Sequence, residues 1–152
     1  MAHVHIIYGT TGGNTDLVCK TVADYLEKAG HEVTLKRAEI STPEDLISHD
    51  LLILACPTYG HGELEPHYLQ LHNRIQDLDL AGQNCAVIAL GDHKYDDDYR
   101  LESSGILLSY VATHGGKLLG PPMVINKSPV PHLQTTVKDW TDTLSTQLQQ
   151  LT

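Results

Sequence analysis

Apolar residues come in blocks along this chain, and the blocks have two different periods. His3–Tyr8 (HVHIIY) is a short apolar run that reads as a buried strand. In the next stretch Val18, Val22, Tyr25 or Leu26, and Ala29 recur at helical spacing, predicting a helix over Asn14–Ala29 that Gly30 stops. His31–Arg37 alternates apolar and polar as a second strand. Asp50–Ala55 (DLLILA) and Asn84–Leu90 (NCAVIAL) are continuously apolar, the pattern of parallel strands covered on both faces. Between them Leu64, Tyr68, Leu71, Ile75 and Leu78 form a helical stripe. Leu101, Gly105, Leu108 and Ala112 predict a helix ending at Gly115-Gly116. Lys117–Asn126 reads as a fifth strand broken by Gly120-Pro121-Pro122. Val137, Trp140, Leu144, Leu148 and Leu151 mark a last helix.

Read this way the chain has five βα units and one domain, residues 1–152. Strands alternating with helices imply a parallel sheet with helices on both faces. Ligands of such sheets bind outside the carboxyl ends of the strands. The residues to inspect therefore follow Tyr8, Ala55 and Leu90.

After Tyr8 comes Gly9-Thr10-Thr11-Gly12-Gly13-Asn14-Thr15, then a helix. Glycines let the backbone turn and approach a ligand, and a helix N-terminus offers free N–H groups. The loop suits a phosphate, but it matches neither the P-loop nor the dinucleotide fingerprint. After the third strand, Pro57-Thr58-Tyr59-Gly60-His61-Gly62 places a large aromatic where the chain leaves the sheet, as the wall of a pocket for a planar ligand. After the fourth, Gly91-Asp92-His93-Lys94-Tyr95-Asp96-Asp97-Asp98-Tyr99 supplies a second aromatic and an acceptor for a heterocycle, Asp92.

On these residues the chain resembles the flavodoxins. Ile6–Thr15 followed by Val22 resembles the family's phosphate loop, Pro57–Gly60 its second loop, and Leu90-Gly91-Asp92 with Tyr95 its third. The resemblance runs over essentially the whole chain. There is no room for the ~20-residue insertion that splits the fifth strand of long-chain members, so the short-chain form is implied. It implies a three-layer, doubly wound, five-stranded parallel sheet of order 2-1-3-4-5. It also implies that Thr10, Thr11, Gly12, Gly13, Asn14 and Thr15 bind the phosphate of FMN. Thr58, Tyr59, Gly60, His61, Leu90, Gly91, Asp92, Tyr95 and Tyr99 would surround the isoalloxazine. Tyr59 is then the inner stacking ring and Tyr95 the outer. Two departures stand out: Gly12 replaces a hydroxyl residue common in the family, and Asp96-Asp97-Asp98 replaces a stretch that is often aromatic.

The implied function is a low-potential, one-electron carrier between a reductase and acceptor redox proteins, rather than a substrate-converting enzyme. An FMN-dependent NAD(P)H:quinone reductase of the same fold is the alternative, but no inserted segment is available to build a substrate site. A response-regulator domain would need a phosphoacceptor Asp where this chain has Cys56.

Composition narrows the partners. The formal net charge of −9 disfavours nucleic acid and anionic membranes and favours a basic redox partner, such as a flavodoxin or ferredoxin reductase. No apolar run nears the ~20 residues of a membrane span, so no membrane insertion is expected. The N-terminus has no signal-like segment, and a cytoplasmic monomer is the expectation. Cys19, Cys56 and Cys85 lie in apolar stretches without a C-x-x-C, which predicts small buried side chains and neither a disulfide nor a metal site. The ten histidines are expected on the surface or in loops.

Overall fold

The structure is a computed structural model that describes residues 2–59, 63–91, 102–125 and 128–151. Its elements are β1 (His3–Tyr8), α1 (Asn14–Lys28), β2 (Glu32–Arg37), β3 (Leu51–Tyr59), β4 (Glu63–Leu64), α2 (Pro66–Arg74), β5 (Asn84–Leu90), α3 (Glu102–Thr113), β6 (Lys117–Leu118), β7 (Met123–Ile125) and α4 (Thr136–Leu151).

The sheet runs in the order β2-β1-β3-β5-β6, with β7 also pairing β5 and β4 folding back antiparallel onto the end of β3. β6 and β7 are two pieces of one edge position, so the path is the expected 2-1-3-4-5. The break between them is the short segment Leu119–Pro122. It is held from α4, where the Trp140 indole N–H donates to the Pro121 carbonyl at 2.9 Å. That short break fits the short-chain form.

The central strands are covered on both faces, as their unbroken apolar runs require. Val4, Ile6 and Tyr8 of β1 and Leu51, Ile53 and Ala55 of β3 pack in one core layer with α1 and α4. Ile7, Leu52, Leu54 and Cys56 face the other layer, under α2 and α3. β1 is paired to β2 on one side and to β3 on the other, both parallel. The chain therefore winds both ways from β1, and the switch point lies between the carboxyl ends of β1 and β3.

The sequence reading needs correction in four places. The connection from β2 to β3 carries no α-helix, so there are not five βα units; it is made of two 3-10 turns, Ala38–Ile40 and Pro43–Leu46. Three of its carbonyls, those of Ala38, Glu39 and Ser41, accept hydrogen bonds from the Arg74 guanidinium at 3.2, 3.5 and 2.9 Å. β3 runs on past Ala55 to Tyr59, because β4 returns to pair Thr58 and Tyr59. On α3 the buried face is Leu107, Tyr110 and Val111, while Gly105 and Ala112 are exposed. The helical spacing predicts Gly105 and Ala112 in the core, but larger neighbours fill the layer. Among the histidines, His5 and His31 are buried.

All three cysteines are buried and free. No described helix is long and apolar enough to cross a membrane.

Candidate functional site

β1 delivers the chain to the sheet edge at Tyr8, and the Gly9 N–H donates to the Ala55 carbonyl at 3.1 Å, carrying the strand pairing one residue further. Gly9 must be small. A Cβ there would stand 2.5 Å from Glu65 Oε1 and 2.7 Å from the Tyr68 Cβ. The loop then turns on itself. Thr10 is buried, and its hydroxyl oxygen accepts the Gly13 N–H at 3.0 Å. Gly13 takes φ +90°, a left-handed conformation that glycine adopts at little cost. It caps α1 without any side-chain hydrogen bond to the helix end.

The first N–H groups of a helix have no partner within it. Beside the start of α1 the loop stands open: nothing lies within 4 Å of where a Cβ on Gly12 or Gly13 would be. Thr15, in the first turn of α1, is 1% exposed, and its hydroxyl has no hydrogen-bond partner. A buried polar group left unpaired costs about 1–3 kcal/mol, and a bound anion would remove that cost. The loop from Gly9 to Thr15 carries no charged side chain. Nearby, the Arg37 guanidinium donates to the Thr10 carbonyl at 3.4 Å, lies 5.9 Å from the Tyr8 ring centroid and pairs with Glu39. This set of neutral hydroxyls and amides at a helix N-terminus fits a phosphate group.

Neighbouring strand ends bring the other predicted residues to the same edge. Tyr8 pairs with Ala55, and Pro57 pairs with Leu90. Thr58 is buried at the end of β3, and the backbone of Tyr59 closes that strand. Leu90 is buried at the end of β5, and the Gly91 N–H donates to the Ile125 carbonyl at 2.8 Å. The Thr10–Thr15 loop, Thr58, Leu90 and Gly91 thus share one sheet edge. Gly60, His61, Asp92, Tyr95 and Tyr99 lie outside the described residues, as does the Asp96–Asp98 run.

One residue at this edge escaped the sequence reading. Glu65 is fully buried. It caps α2 by accepting the Tyr68 N–H at 3.0 Å, and it takes the Thr11 hydroxyl at 2.7 Å and the His67 Nδ1 at 2.7 Å. Burial works against its charge. The hydrogen bonds from Thr11, from the backbone N–H groups of His67 and Tyr68 and from the His67 ring outweigh burial and hold the carboxyl below its ordinary value. A Glu directly before Pro at a helix start was the available signal, since Pro66 occupies the first helical position. The nearby Cys56 thiol is pushed up to about 12, chiefly by burial, and stays protonated.

Comparison with known proteins agrees with this geometry. The family model described as flavodoxin matches residues 6–140. A flavodoxin from Nostoc sp. is 31% identical over 118 residues, covering 77% of this chain and 68% of that protein. Among solved structures, oxidised flavodoxin 2 from Bacillus cereus superposes with a TM-score of 0.87 at 26% identity, covering 95% of this chain and 99% of that one. The Fusobacterium nucleatum flavodoxin bound to flavin mononucleotide superposes with a TM-score of 0.81 at 17% identity, over 96% and 98%. With the family's sequence pattern matched across most of its length and the same fold beneath it, the chain belongs to the flavodoxin family.

Proposed function

We propose that this chain binds FMN and works as a low-potential, one-electron carrier between a reductase and acceptor redox proteins, as a monomer in the cytoplasm. The observation that carries the reading is the unpaired, buried Thr15 hydroxyl beneath an open glycine loop at the start of α1. A dianionic phosphate supplies the acceptors this loop lacks.

In this reading Thr10, Thr11, Gly12, Gly13, Asn14 and Thr15 hold the phosphate through backbone N–H groups and through the Thr10 and Thr15 hydroxyls, Thr11 contributing its backbone only. Thr58, Gly60, His61, Leu90, Gly91, Asp92 and Tyr99 border the isoalloxazine, and Tyr59 and Tyr95 stack on its faces. The bound flavin supplies the redox chemistry. The protein's residues hold it at the sheet edge and keep water from it. The net charge of −9 selects a basic partner surface, as on a reductase. The shortness of the Leu119–Pro122 break leaves no inserted segment for a substrate site, which weighs against a quinone reductase.

The test is flavin binding to the apoprotein. Titration with FMN, FAD and riboflavin, followed by flavin fluorescence, should give FMN the highest affinity, with riboflavin at least ~100-fold weaker, since each hydrogen bond to a charged group adds roughly 1.5–3 kcal/mol. Equal affinities for FMN and riboflavin would refute the phosphate assignment. Turnover of NAD(P)H with a quinone, without added reductase, would instead make the protein an enzyme.

A further inference from the structure

No residue of the loop Gly9–Thr15 is charged, yet a buried carboxylate stands directly against it. Glu65 Oε1 faces Gly9 so closely that no Cβ fits between them. Glu65 Oε2 takes the Thr11 hydroxyl at 2.7 Å and the His67 ring nitrogen at 2.7 Å. An ionised carboxylate can only accept, so Thr11 is the donor in that bond. A hydroxyl has one proton. With that proton directed at Glu65, the Thr11 side chain offers only lone pairs to whatever occupies the loop. Thr10 is in the opposite condition: its oxygen accepts the Gly13 N–H, which leaves its own proton free to donate. Thr15 has no partner at all.

The loop's hydroxyls are therefore not equivalent. Resting on the reading that this loop takes the FMN phosphate, we propose that Glu65 is a positioning residue that withdraws the Thr11 hydroxyl from the phosphate and so sets how strongly the loop prefers FMN to riboflavin. Selectivity is left to Thr10, Thr15 and the backbone N–H groups. The buried negative charge beside the loop acts in the same direction, because a carboxylate and a phosphate repel.

Replacing Glu65 with Gln reverses one hydrogen bond. The Tyr68 N–H still needs an acceptor, so the amide oxygen faces it and the amide N–H₂ faces Thr11. Thr11 then accepts, and its proton is released toward the loop. The experiment measures the ratio of FMN to riboflavin affinity by fluorescence titration in the parent, Thr11→Ala, Glu65→Gln and the double variant. Thr11→Ala alone should leave the ratio within about twofold, because the lost hydroxyl was not serving the phosphate. Glu65→Gln should raise the ratio about tenfold, the value of one added hydrogen bond to a charged group. Thr11→Ala in the Glu65→Gln background should remove most of that gain, leaving only the part that comes from loss of the carboxylate charge.

An unchanged ratio in Glu65→Gln, with both flavins weakened alike, would mean that Glu65 serves only to cap α2 and would overturn the proposal. A tenfold loss of ratio in Thr11→Ala alone would overturn it too, and that variant, at an exposed position, keeps both partners of the Tyr68 N–H bond to Glu65. A parent protein that binds FMN and riboflavin equally would remove the phosphate reading itself, and the proposal with it.

Discussion

The imidazoles of His5 and His49 stack with their centroids 4.4 Å apart and their planes 20° from parallel. His49 Nε2 lies 2.8 Å from the Asp45 carbonyl, while His5 Nε2 is buried with no hydrogen-bond partner. Burial first, then the charges of His49 and Lys36 against that of Asp45, push His5 down to about 4. The fold thus holds His5 neutral, while the unfolded chain protonates it near pH 6.5. Between those values the unfolded state binds more protons, so stability is lost as pH falls. The displacement corresponds to roughly 3 kcal/mol from this residue. Urea unfolding from pH 7 to pH 4 should show a steep decline, and His5→Phe should flatten most of it. His31 and His72 are also lowered, in both cases mainly by burial, and should leave a residual slope.

Two glycines of one loop should respond differently to alanine. At Gly9 the added methyl meets Glu65 and Tyr68, and overpacking of this kind costs roughly 1–3 kcal/mol. At Gly12 it meets nothing within 4 Å. Gly9→Ala should lower the urea midpoint clearly, and Gly12→Ala should leave it nearly unchanged. If the two variants are equally stable, Glu65 does not press on the loop.

Thr15→Val separates stability from binding. Without flavin, the substitution deletes a buried hydroxyl that has no partner, so the apoprotein should be as stable as the parent or more so. FMN affinity should nevertheless fall about tenfold or more, with riboflavin little affected, because one hydrogen bond to a charged group is lost. Loss of affinity for both flavins alike would place the hydroxyl away from the phosphate.

Charge should control how fast the protein meets its partner. A net charge of −9 attracts a basic reductase over a distance that salt shortens. The second-order rate of electron transfer to such a partner, followed by stopped flow, should fall roughly tenfold between ~10 and ~300 mM salt. A flat salt dependence would mean that the docking face is not the acidic one.

The strands were readable because burial on both faces leaves an unbroken apolar run, as in Leu51–Ala55 and Asn84–Leu90. Helices α1, α2 and α4 were readable from their stripes, although the ends of α2 were not: Leu64 lies in β4, paired with Thr58 of β3, and Leu78 lies past the helix. The β2–β3 connection has no period to read, since its turns are held by hydrogen bonds from Arg74, a residue of another element. α3 misled because its interior is set by the bulk of Tyr110 and Val111 rather than by spacing. Glu65 carries only a weak signal, the Pro66 that follows it, for a similar reason. A charged residue is ordinarily exposed, and the partner that lets it be buried, Thr11, is 54 positions away.

The two-piece outer strand matters for what the protein does not do. An open sheet leaves unpaired N–H and C=O groups along its borders, which can template the growth of fibrils. Along the β6–β7 border a second chain would find two residues, then Leu119, Gly120, Pro121 and Pro122, then three residues more. The prolines have no N–H to offer, and the Pro121 carbonyl is already taken by Trp140. At the opposite border β2 exposes Glu32 and Thr34, with Lys36 half-exposed beside them. Among the described residues neither border presents a long, flat, apolar ladder on which a second copy of the chain could add a strand.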